Sequence, residues 1–174
     1  MCLRWTVCIG RCVLTAAVVA TVTPASSAGT RRASLTPRDA AALERARGGA
    51  ARRLANAECR KVFSDFEDGR GLAIDRKLEA WGVDPAEYIR MVAFVDGTGE
   101  DLCRREDVRL FSIRNVPRVI VCPGFANLER LRPEFGPVMV IHEVLHTLGL
   151  GENPPTSAEI TARVEMRCST PELP

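Results

Sequence analysis

The clearest patterning in the chain runs from Pro137 to Leu148. Val138, Ile141, Leu145 and Leu148 recur at helical spacing, and Met139, Val140 and Val144 spread apolar surface around most of the circumference. A helix that is oily nearly all round belongs inside a core. Pro137 suits its first turn and Gly149 the position just past its end. Four polar side chains break this surface: His142, Glu143, His146 and Thr147. Elsewhere the patterns are shorter. Ile74, Leu78 and Trp81 predict a helix over 72–81, stopped by Gly82. Asp84-Pro85-Ala86-Glu87 has the form of a capping box opening a helix through Tyr88 and Ile89. Met91–Val95 predicts a strand ended by a turn at Asp96-Gly97, and Val108–Ile113 and Val119–Cys122 predict two more, separated by Pro117. A last helix is expected over 158–166. The pattern is an α+β chain with a small β-sheet.

The N-terminal part is organised differently. Arg4 and Arg11 flank an apolar run from Cys12 to Val22, and Ser26-Ser27-Ala28 supplies small residues for cleavage. Residues 1–28 therefore read as a signal peptide, too short in its apolar part to span a bilayer comfortably. Residues 29–57 are rich in Ala and Arg. They predict a loosely attached arm, helical from Thr36-Pro37 and broken at Gly48-Gly49, so that the packed domain is residues 58–174.

Removing the signal removes Cys2, Cys8 and Cys12 and leaves Cys59, Cys103, Cys122 and Cys168. Four cysteines in a small exported domain imply two disulfides, with three possible pairings. Cys103 and Cys122 bracket two expected strands, which favours Cys103–Cys122 and so Cys59–Cys168. The expected location is secreted or periplasmic, with no membrane attachment once the signal is cleaved. Arg4 and Arg11 also account for the whole excess of positive charge, leaving 22 basic and 22 acidic residues. With no basic block left, nucleic acid is excluded as a partner.

The buried helix carries the chemistry. A neutral polar group buried without a partner costs roughly 2–7 kcal/mol, and a charge more. His142 and His146, the two histidines of the chain, stand at i and i+4, so both imidazoles leave one side of the helix and can meet one ion. Zinc takes imidazole, and a catalytic site offers three protein ligands plus water. Glu143 flanks the ion as the general base. Tyr88 and Asn153 are further candidates, with packing and turn roles weighed against oxyanion stabilisation and hydrogen bonding.

HEVLHTLGLGE resembles the extended HExxHxxGxxH motif of metzincin peptidases, in which the last position is sometimes Asp. Gly149 falls at the motif's glycine and Glu152 at its third-ligand place. Residues from about Cys59 to Cys168 also resemble small exported bacterial proteins carrying HTLGLGENPP. The resemblance implies a minimal, disulfide-linked zincin-like domain, its sheet packed on the HExxH helix. It implies Zn²⁺ held by His142, His146 and Glu152, and hydrolysis of a peptide or protein substrate. A non-catalytic zincin-fold binding or metal-stabilised module is the alternative. In gluzincins the third ligand is a glutamate on a later helix, a place Glu159 could fill, although Thr156 to Glu159 also forms a capping box. Met166 follows the motif within an expected helix, unlike the methionine turn of metzincins. Val119–Cys122 is expected as an edge strand open to an extended substrate.

Overall fold

A computed structural model describes residues 34–169. The expected signal peptide lies outside these residues. Among them are seven α-helices and three strands. The helices are α1 (Pro37–Leu54), α2 (Ala57–Arg60), α3 (Asp75–Trp81), α4 (Pro85–Met91), α5 (Phe125–Leu131), α6 (Phe135–Thr147) and α7 (Ser157–Cys168); the strands are β1 (Ala93–Asp96), β2 (Leu110–Ser112) and β3 (Arg118–Val121). The α+β expectation holds. No described helix is long and apolar enough to cross a membrane.

The core forms around α6. Val138, Val140, Ile141, Val144, Leu145 and Leu148 are all buried. α1 lies along one side of this helix, α7 along another, and the sheet closes a third.

The expectation of a loose arm over 29–57 is corrected by α1. This helix runs unbroken through Gly48-Gly49, and Ala42, Leu43, Ala46, Ala50 and Leu54 are buried in the common core. The small residues that suggested weak packing instead permit close packing. A Cβ on Gly49 would come within 2.6 Å of Pro137 Cγ on α6. Glycine inside a helix costs about 1 kcal/mol against alanine, and here the absent methyl is what admits the neighbouring helix. Polar contacts fasten the same element: Asp39 accepts from the amide of Ala126 in the first turn of α5, and Arg45 makes a two-pronged pair with Glu129. Packing therefore begins well before residue 58.

The sheet is mixed, in the order β1-β3-β2, with β1 parallel and β2 antiparallel to β3. The run Val119–Cys122 is therefore not an edge. β3 is the central strand, paired on both sides, and Val119, Ile120 and Val121 are buried as a central strand requires. The strand beside α6 with one free side is β2. Helix ends follow the residues expected of them. Gly82 ends α3 at φ 65°, and the Asp84 side chain caps α4 by accepting from the amide of Ala86. Trp81 is largely exposed, so its spacing marked a helix without marking the core.

Cys59 and Cys168 stand at disulfide distance, as do Cys103 and Cys122. The first pair joins α2 to the end of α7; the second joins the loop after β1 to the end of β3. Both match the pairing favoured by the strand positions.

Candidate metal centre

Two turns of α6 present the histidines. Their Nε2 atoms lie 3.1 Å apart, and both side chains are buried. After the helix, Gly149 at φ 113° turns the chain back, and Leu150, Gly151 and Glu152 follow along the mouth of the site. One carboxylate oxygen of Glu152 reaches 3.3 Å from His146 Nε2 and 3.8 Å from His142 Nε2. These three residues form a group that could hold a metal ion. The distances suit zinc: bonds of 2.0–2.2 Å in a tetrahedron put ligand atoms about 3.3 Å from one another.

The far nitrogen of each ring is occupied. His146 Nδ1 lies 2.9 Å from the carbonyl of Leu150, and a carbonyl only accepts, so the proton sits on Nδ1 and Nε2 is bare. His142 Nδ1 meets Thr161 Oγ1 of α7 at 3.0 Å. A hydroxyl can donate or accept. It can therefore support His142 with its proton on Nε2, shared with His146, or on Nδ1, with Nε2 free for a cation. Such outer partners orient metal-binding imidazoles. Burial, with the neighbouring His146 adding to it, pushes His142 down to about 3, so this ring is neutral and ready to ligate across the ordinary pH range.

Glu143, the next residue along the helix, is turned toward β2. Ser112 Oγ lies 2.8 Å from its Oε2 and 3.1 Å from its backbone carbonyl. Burial pushes the Glu143 carboxyl up to about 7, against the opposing influence of His146 and the Ser112 hydrogen bond; nearby Glu152 pushes it the same way as burial. A carboxyl near neutrality is suited to take up and release a proton.

These groups line a cleft of about 630 Å³ whose other wall is β2 and the segment before it. His142, Glu143, His146, Glu152 and Ser112 all face it. The other candidates lie apart. Glu159 is exposed and closes a capping box with Thr156, its carboxylate accepting from the Thr156 amide at 2.7 Å. Tyr88 is buried with its hydroxyl 3.2 Å from Thr147 Oγ1, which is a packing role. Asn153 sits at φ 66° in the turn after Glu152. Met166 is exposed on α7, so no methionine turn lies beneath the histidines among the described residues.

Ser112 and Thr161 carried no sequence signal for their roles. Each comes from a separate element, and only the packing of β2 and α7 on α6 brings it to the site.

Comparison of the chain with family models, with curated proteins and with solved structures found no match.

Proposed function

We propose that this protein is an exported zinc-dependent peptidase with a minimal zincin-like domain, in which Glu152 takes the place of the last histidine of a metzincin-like motif. The observation that carries the reading is the convergence of His142, His146 and Glu152 in an open cleft that also holds buried Glu143. Two disulfide pairs fit work outside the cytoplasm. Zinc, when bound, supplies a charge that makes water a better nucleophile and polarises a substrate carbonyl.

The chain's own groups do the rest. Glu143 accepts the proton that water loses and returns it to the leaving amine. Ser112 donates to one oxygen of that carboxylate, fixing its rotamer and leaving the other oxygen free to exchange the proton. Thr161 and the Leu150 carbonyl hold the two rings in register. The open side of β2 offers backbone groups to an extended peptide, which would lie across the cleft as a fourth strand. The substrate-binding strand is then β2.

Metal content and peptide cleavage test the proposal on one preparation. The oxidised protein should carry one zinc and cut a peptide mixture read by mass spectrometry. Glu143→Gln should keep the zinc and stop cleavage. Zinc that persists in His142→Ala/His146→Ala refutes the site. Zinc held by His142 and His146 without cleavage of any peptide leaves the non-catalytic, metal-stabilised module as the reading.

A further inference from the structure

The cleft wall carries three arginines and three acids, paired unevenly. Arg105, Arg109 and Arg114 line it, against Asp107, Glu143 and Glu152. Arg105 grips Asp107 with two hydrogen bonds of 3.1 and 2.8 Å. Glu152 faces the two imidazoles, and Glu143 is buried against Ser112. Arg109 and Arg114 remain. Among the described residues neither has a carboxylate at ion-pair distance, although Arg109 lies close enough to Asp107 to help lower its pKa. Arg109 gives one hydrogen bond to the Val108 carbonyl.

Their placement is specific. Arg109 immediately precedes β2, and Arg114 comes two residues after its end. Arg114 is seated against the loop that carries Glu152: a Cβ on Gly151 would lie 3.0 Å from its Nη1, and one on Gly69 3.6 Å. The two glycines leave the room that the guanidinium fills. Four residues separate the two arginines: the strand Leu110–Ser112 and Ile113, with Arg114 in the turn closed by the Val116 amide on the Ile113 carbonyl. A peptide laid along β2 would thus meet a guanidinium near each end. Guanidinium forks match carboxylates, and lysine does not reproduce that match.

Resting on the peptidase reading above, we propose that the cleft selects peptides bearing carboxylates on either side of the point of cleavage, held by Arg114 at one end of β2 and Arg109 at the other. The carboxylate is an Asp or Glu side chain or a free C-terminus; the chemistry is shared.

The test uses labelled heptapeptides, acetylated and amidated, built from neutral residues. One series carries Glu at each position in turn, a second carries Lys, and a third has a free C-terminal carboxylate. Binding is read by fluorescence anisotropy to full-length Glu143→Gln protein, with and without added zinc, and cleavage by the unsubstituted protein is read separately. Glu at either of two separated positions should tighten binding by about tenfold or more, the worth of a charge-assisted hydrogen bond. Arg114→Ala should abolish the preference at one position and Arg109→Ala at the other, with neutral peptides unaffected. Arg114→Lys should restore part of it. Arg114→Glu should favour Lys peptides, a gain that misfolding would not produce. Tighter binding of the free acid alone assigns the site to a chain terminus; tighter binding of internal Glu assigns it to side chains. Equal binding of neutral and Glu peptides, or equal weakening of both by Arg114→Ala, overturns the inference. Cleavage without acid preference would remove this proposal alone. Acid preference without cleavage would remove the peptidase reading alone.

Discussion

Gly149→Ala is expected to damage the fold and the metal site together, because the glycine is held by two constraints. The first is its backbone. At φ 113° an alanine is strained, a cost of order 1–3 kcal/mol. The second is space. A Cβ here would stand 2.7 Å from both Asn115 Oδ1 and Lys77 Nζ and 3.2 Å from Asp68 Cβ. Lys77 is no free end to be pushed aside. It donates to Asn115 and to the Leu148 carbonyl at the end of α6, and pairs with the buried Asp68 carboxylate at 3.3 Å. Displacing it loses hydrogen bonds to a charged group, about 1.5–3 kcal/mol. Stiffening of the unfolded chain returns about 0.4–1 kcal/mol. The net loss should be roughly 1.5–5.5 kcal/mol.

Gly82→Ala is the control. Gly82 also has positive φ, 65°, but a Cβ there meets nothing within 4 Å. It should cost only the left-handed backbone, about 1–2 kcal/mol. Urea unfolding of the oxidised, chelator-treated proteins compares the two. Competition with a chelating dye then reads zinc affinity, which should fall for Gly149→Ala because the loop it deforms carries the Leu150 carbonyl and Glu152. A Gly149→Ala protein as stable as Gly82→Ala, with undiminished zinc affinity, would refute the reasoning.

Three further outcomes are expected. Glu152→Ala should lose most zinc affinity in the dye competition, whereas Glu159→Ala should keep it and lose about 1 kcal/mol of stability, the worth of a helix cap; the reverse result would make the site gluzincin-like. Thr161→Val keeps shape and removes the hydroxyl on His142 Nδ1, so zinc affinity should drop about 10–100-fold with α7 intact by circular dichroism. Unchanged affinity would show that the hydroxyl orients nothing. Burial pushes the Glu143 carboxyl from its ordinary 4.5 up to about 7 in the folded, metal-free chain, so its favourable contribution is complete below 4.5 and lost as pH rises through 7. Metal-free Glu143→Gln should therefore match the parent protein near pH 4.5 and exceed its stability at pH 8. Equal pH profiles in chemical denaturation would contradict the burial argument.

What could be read from sequence alone divides along a physical line. Local rules held where one segment decides its own conformation: the buried α6, the Gly82 stop, the Asp84 cap and the capping box of Thr156 and Glu159. The group of His142, His146 and Glu152 was legible because its spacing is local too, two histidines one helical turn apart and a glutamate six residues on. The failures came from partners chosen at a distance. α1 looked like a loose arm because alanines and glycines bury little area; what they supply is close approach, visible only once Pro137 lies against Gly49. Val119–Cys122 looked like an edge because a short apolar strand reads the same at an edge or a centre. The position is set by β1 and β2 pairing on either side of it.

The same distinction explains the polar groups of α6. Each has a partner from a different part of the chain: Thr161 of α7 for His142, Ser112 of β2 for Glu143, the Leu150 carbonyl for His146, and Tyr88 of α4 for Thr147. Folding thus meets the cost of burying four polar side chains in an oily helix. Beyond these contacts the two Nε2 atoms face one another, with one Glu152 oxygen beside them. His146 must offer a lone pair there, and His142 can offer a second by moving one proton to Nδ1, where Thr161 accepts it. Two lone pairs and a carboxylate directed at one point repel each other unless a cation lies between them. With the proton left on His142 Nε2 and shared with His146 the group is satisfied without metal, and a cation could take that proton's place.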